Sequence, residues 1–133
     1  MVIWIIVALV FVVGGYIRLA PSDPARWHVE PEVTENREMP NGVLRIATTG
    51  PDGLERFNEV ALQTPRTSVV SGWVRTEQVT YVTRSKIWGF PDYTTVKQDG
   101  DQLKIYARAR FGRSDFGVNA ARVDGWLKAI EAR

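Results

Sequence analysis

The 133-residue chain has no cysteine and a single histidine, His28. Disulfides, thiolate chemistry, lipoprotein acylation and Cys/His metal clusters are thereby excluded. His28 has no second histidine or paired carboxylate at ligand spacing, so it is expected to be solvated, and no metal site is expected. Glycine-rich phosphate loops and internal repeats are also missing. Asp92, Asp115, Ser85 and Ser114 remain as candidate acids, bases and nucleophiles. A serine and an aspartate without a base or metal lack the activation that nucleophilic catalysis requires. The expectation is a protein with no catalytic residue and no cofactor, not an enzyme.

What the chain does contain is one long apolar run. Val2 to Ile17, VIWIIVALVFVVGGYI, carries no charge, and Arg18 closes it. At ~1.5 Å per residue it spans ~24 Å; Leu19 and Ala20 extend it, and Arg18 can snorkel to the headgroups. Residues 1–20 therefore read as a transmembrane anchor. The competing reading, a cleaved signal peptide, needs a basic leader and a small-x-small site, yet nothing basic precedes Val2 and Pro21 directly follows Ala20. Arg18 and Arg26 lie after the span and no base precedes it, a weak vote for a cytoplasmic domain. Trp4, Gly14, Gly15 and Tyr16 are candidate membrane helix contacts, because a glycine pair lets another helix approach closely. A plain tether is the alternative.

Residues 21–42 hold four prolines and five acids and are expected to form an extended linker, with Trp27 at headgroup level. From Pro21 to Glu59 four Lys or Arg stand against eight Asp or Glu; from Val60 to Arg133 twelve stand against seven. An acidic tether thus leads into a basic domain, suited to an acidic partner or anionic membrane lipid.

Residues 43–133 have the pattern of one folded domain. Strands are expected at 43–49, 67–74 and 79–88, with a helix at 54–63 that Asp52 caps and Pro65 ends. Asp99-Gly100 predicts a type I′ hairpin in which Val96 faces Leu103 and Tyr93 faces Tyr106. Leu103, Ile105, Ala107, Ala109 and Phe111 then form a buried row, and Lys104, Tyr106, Arg108 and Arg110 the opposite one. From Ser114, the spacing of Phe116, Ala120, Val123, Leu127 and Ile130 predicts an amphipathic helix capped by Ser114 or Asp115, with an Asp124–Lys128 pair. The fold class is α+β: after the transmembrane helix, a two-layer domain with an antiparallel sheet of four to five strands and two helices on one face.

The stretch RARFGRSDFGVN sets Arg108, Arg110 and Arg113 beside a helix N-terminus, where an anion is favoured. The same arginines can equally hold Asp92 or Asp115 in structural ion pairs. Arg84, Arg108, Arg110, Arg113, Asp115 and Asn119, with Tyr93 and Tyr106 as apolar walls, are the candidate anion- or partner-binding residues. An open sheet face is their expected location.

TRSKIWGFPDYTTV and GRSDFGVNAARV resemble the domain of unknown function 1499 (DUF1499) family, in its membrane-anchored alphaproteobacterial type. The resemblance covers residues 43–131 and draws attention to Arg66, Arg84, Ser85, Phe90, Asp92, Arg108, Arg113, Ser114, Asp115, Asn119 and Arg122. It implies no reaction. It does imply a single-pass protein of the inner (cytoplasmic) membrane with a periplasmic domain, against the charge vote. The expected function is a non-catalytic accessory or assembly component of a larger respiratory or photosynthetic membrane protein complex. The alternative is a binding domain for an anionic small molecule or lipid headgroup. No nucleic acid is expected as a partner, since the basic excess is modest and an extracytoplasmic domain does not meet genomic DNA.

Overall fold

A computed structural model describes residues 1–132; Arg133, the last residue of the expected domain, lies outside them. The apolar run forms helix α1, Val2–Leu19, of mean hydropathy 2.4, long and apolar enough to cross a membrane. Almost all of its side chains face outward, and only Ile17 is buried. A short helix α2, Pro24–Trp27, follows at once: Asp23 Oδ1 accepts the Ala25 N–H at 3.0 Å, and Pro24 fits the first turn because it lacks an N–H.

The rest is a sheet with two helices. Strands β1 (Arg37–Met39), β2 (Gly42–Thr48), β3 (Thr67–Trp73), β4 (Gln78–Arg84), β5 (Pro91–Asp99) and β6 (Gln102–Ala109) lie in the order β1-β2-β6-β5-β4-β3, antiparallel throughout. Helices α3 (Gly53–Gln63) and α4 (Val118–Glu131) cover one face. The α+β two-layer reading holds, with six strands instead of four to five; the additional β1 comes from the segment expected to be a linker.

Strict alternation on the central strands builds the core. Val79, Tyr81, Val96, Leu103 and Ile105 point from β4, β5 and β6 toward Leu54, Phe57, Ala61, Val123, Trp126 and Ile130. Phe57 sits 6.0 Å from the Tyr81 ring and 5.4 Å from Trp126, nearly edge-on to the latter.

Four local expectations need correction. The β5–β6 loop is Gly100-Asp101, one residue later than expected, so that Asp99 faces Gln102, Val96 faces Ile105 and Tyr93 faces Arg108. Gly100 takes φ 60° and Asp101 does not take a positive φ, which suits glycine leading a type II′ turn and not the type I′ turn. Each partner moves by two, so every side chain keeps its expected face. Strand β4 stops at Arg84, and Ser85–Phe90 turns away as a loop closed by the Ser85 N–H to Phe90 O bond of 3.0 Å. Helix α4 begins at Val118, not Ser114, because Phe116 and Gly117 adopt left-handed φ of 53° and 77°; Phe116, expected on the apolar face of that helix, is 92% exposed. Asp124 pairs with Arg45 at 2.8 Å, reaching across to β2, and not with Lys128.

The largest correction concerns residues 21–42. Trp27 and Val33 are buried, and Trp27 stacks on Tyr93 at 4.2 Å with 18° between the rings. The segment is a folded cover over the second sheet face, and Trp27 is not a headgroup anchor.

Candidate functional site

The sheet face opposite α3 and α4 carries Tyr93, Tyr106, Arg108 and Arg110, as the alternation predicts, but it is closed. Arg108 is 4% exposed. Its guanidinium donates to Thr95 Oγ1 at 2.9 Å, to Tyr106 O at 3.0 Å and to Trp27 O, and lies 4.5 Å over the Tyr106 ring. Burial pulls its pKa down to about 10, so the charge persists at neutral pH while every donor used is spent within the protein. Arg110 donates to Pro21 O at 2.9 Å and to the Tyr93 hydroxyl at 3.2 Å, and that hydroxyl also bonds Ser22 Oγ at 2.7 Å. The expected open arginine face is therefore the seam that fixes the segment after α1 to the sheet.

An opening lies elsewhere, at the sheet end where the β4–β5 loop, the β6–α4 connection and the start of β3 converge. It is a cavity of about 550 Å³ walled by Phe90, Phe111, Phe116 and Val118 on its apolar side and by Arg66, Ser85, Asp92, Ser114 and Arg122 on its polar side. Phe111 ties it to α1, edge-on to Tyr16 at 6.1 Å. Among the described residues, two of the three non-glycine positions with positive φ, Arg66 (59°) and Phe116 (53°), line it. Strained backbone of this kind collects where surrounding structure holds a loop in place for a ligand.

The polar wall is internally braced. Arg122 donates to Asp92 at 3.2 Å and to Asn119 Oδ1 at 2.9 Å, and Asn119 Nδ2 donates to Asp115 at 2.9 Å. Asp115 also accepts the Gly117 and Asn119 amides, so it holds the first turn of α4 although Gly117 is the cap. Burial raises the Asp92 pKa above the ordinary carboxylate value, and the Arg122 charge offsets part of that rise.

A second hollow of about 370 Å³ adjoins the cavity, sharing Arg66, Arg84 and Ser85 with it. Arg18 and Lys86 complete a lining with four cations and no carboxylate. Arg84 donates to Ile17 O at 3.2 Å and Gly89 O at 3.0 Å, and Arg66 Nε to Arg84 O at 3.0 Å. No hydrogen bond from the Arg66 terminal nitrogens occurs among the described residues. The cavity beside Arg45 and Arg56 differs: its cations are paired, to Asp124, Glu38 and Asp52.

Among the residues singled out in the sequence, the structure gathers Arg84 and Asp115 at the cavity, places Asn119 behind its wall, and sets Arg108, Arg110, Tyr93 and Tyr106 on the sealed face. Arg113 is exposed between Gly112 and Ser114, which line the cavity. In α1, Trp4 and Tyr16 are exposed, Gly14 faces the Trp88 ring, and Gly15 faces open space. Eight of the eleven positions to which the family resemblance drew attention line the cavity. Arg18 and Lys86 were not among the expected binding residues, because 79–88 read as one continuous strand hid the loop that carries Lys86 to Arg18.

The chain belongs to the DUF1499 family, described as proteins of unknown function; the family model matches residues 18–130, including the segment over the second sheet face. No match was found among curated proteins or among solved structures.

Proposed function

We propose that this protein is a non-catalytic, membrane-anchored binding module for an anionic amphiphile, with the headgroup in the four-cation hollow and an apolar tail in the adjoining aromatic cavity. The carrying observation is that adjacency: a carboxylate-free cluster of Arg18, Arg66, Arg84 and Lys86 opens beside an apolar cavity at the foot of a helix able to cross a membrane. In this reading the protein is single-pass in the cytoplasmic membrane with a periplasmic domain, the placement the family resemblance implies. A phospholipid or another acidic amphiphile fits the chemistry equally, so the probe is dioctanoyl phosphatidylglycerol, with dioctanoyl phosphatidylcholine as the neutral comparison. Native mass spectrometry of the full chain in a nonionic detergent is expected to give saturable one-to-one binding of the anionic lipid. Val118→Trp, which fills the mouth from an exposed position, abolishes it, and Arg66→Gln with Lys86→Gln weakens it about tenfold or more. Equal retention of both lipids, or binding indifferent to all three substitutions, overturns the reading.

The accessory-subunit reading rests on a separate observation. Trp88 occupies the flank of Gly14, whereas a side chain built at Gly15 meets nothing within 4 Å, which leaves room for a helix from a larger membrane complex. Gly15→Leu is expected to strip stoichiometric partners from the protein purified out of its own membranes and to leave lipid binding unchanged.

A further inference from the structure

Helix α1 has 18 residues, ~27 Å of rise, and so has no length to spare in a hydrocarbon core of ~30 Å. Whatever packs on its flank below the last turn must share its depth. The β4–β5 loop does so. Trp88 closes a small hollow with Ile6, Leu9, Val10 and Val13, and a side chain built at Gly14 would stand 3.5 Å from the indole. Gly14 lies five residues before Leu19, ~7 Å along the axis.

We infer that the loop Ser85–Phe90 is a second membrane element, inserted into the domain-side leaflet along α1, with the lipid bilayer as its partner. Ile87 is 75% and Trp88 46% exposed, apolar surface continuous with the outward face of α1. Part of the loop's backbone is paired within the chain, as a medium in which unpaired polar groups are costly favours. The Ser85 N–H donates to Phe90 O and the Gly89 N–H to Ser85 O, while Ser85 Oγ accepts the Phe90 N–H at 2.9 Å. Arg18 donates to Ile87 O and Arg84 to Gly89 O, so two cations at headgroup level serve the loop's carbonyls from above. Gly89, at φ 72°, passes over the Arg18 stem, where an added Cβ would stand 3.0 Å from Cγ. Lys86 completes the loop with a side chain that reaches back to anionic headgroups. The inference is independent of any ligand in the cavity.

The absence of native cysteine makes the test direct. Single cysteines replace Ile87, Val13 and Arg75 in separate full-length chains, are spin-labelled, and are placed in nanodiscs of phosphatidylcholine and phosphatidylglycerol. Arg75 is the aqueous reference, exposed in the β3–β4 turn. The ratio of oxygen to nickel-chelate accessibility is then read by electron spin resonance. A ratio at Ile87→Cys nearer that of Val13→Cys bears out insertion. A ratio nearer that of Arg75→Cys overturns it, whatever the outcome of the lipid-binding experiment.

Discussion

Thr94 and Thr95 are neighbours in β5 and fully buried, yet they belong to two different kinds of protein interior. Thr94 points into the face covered by α3 and α4, and its hydroxyl has no hydrogen-bond partner among the described residues. Thr95 points to the other face, where its hydroxyl donates to Trp27 O at 3.1 Å, accepts from Arg108 at 2.9 Å and meets Thr80 Oγ1 at 2.8 Å. The first face is held mainly by apolar area, with Tyr81 and Trp126 donating at its margin to Asn58 and Thr64, and the Thr94 hydroxyl is present at a cost. The second is held by hydrogen bonds and ring stacking that seize the backbone of the segment leaving α1. One face therefore folds the domain, and the other couples the domain to α1.

Arg108→Met breaks the second face most severely. It takes one donor from Trp27 O, which keeps Thr95, and one from Thr95 Oγ1, which keeps Thr80, removes the side-chain donor to Tyr106 O and lifts the guanidinium from the Tyr106 ring, a loss of about 3 kcal/mol. Thermal unfolding of the full chain in detergent measures the loss. If Trp27 is freed before the core melts, its near-ultraviolet circular dichroism fades ahead of the far-ultraviolet signal. A change below about 0.5 kcal/mol would mean that stacking on Tyr93, not the arginine, closes this face.

The paired threonines sharpen the contrast through opposite signs. Thr95→Val takes one hydrogen bond each from Trp27 O, Arg108 and Thr80, which keep their other partners, and is expected to cost about 2 kcal/mol, whereas Thr94→Val removes an unpaired hydroxyl at nearly constant shape and is expected to add about 1 kcal/mol. Denaturant midpoints at unchanged slope give both values. Two shifts of the same sign would dissolve the distinction between the faces.

The two faces also differ in how far the sequence reveals them. Period-two alternation in LKIYARA and the four-three spacing from Ala120 to Ile130 mark the core face, because apolar burial leaves a periodic trace. The cover leaves none: Trp27 and Val33 are single apolar residues among prolines and acids, and Tyr93, Thr95 and Arg108, which hold Trp27, lie more than 60 residues away in β5 and β6. Composition reads such a segment as linker even when its backbone carbonyls are the acceptors of a buried arginine. At the cavity, Asp115 is legible from the turn chemistry around it, and Arg84 from strand alternation and the family resemblance. The left-handed φ of Arg66 and Phe116 is not, since neither residue type favours that conformation, and it is what brings the β3 start and the α4 connection around one opening.

His28 supplies the mildest probe of the second face. Its Nδ1 lies 2.7 Å from Thr80 Oγ1. With the Thr95 hydroxyl donating to Trp27 O, Thr80 donates to Thr95, which leaves Thr80 an acceptor and makes the His28 Nδ1–H the donor. That bond survives protonation of the ring, so the charge is opposed by burial alone, and burial lowers the His28 pKa below its ordinary 6.5. The unfolded chain then binds more protons than the folded one just below pH 6.5. Stability therefore falls as pH drops from 6.5 toward the folded-state value, and is fully present above it. His28→Gln, which keeps a donor for Thr80 and cannot titrate, is expected to flatten the unfolding midpoint between pH 7 and pH 5.5 relative to the natural chain. An unchanged slope would move the pH dependence off His28, and Asp92 in the cavity wall could not supply it. There the sign is opposite: the folded-state pKa is raised, so stability gains as pH falls through it.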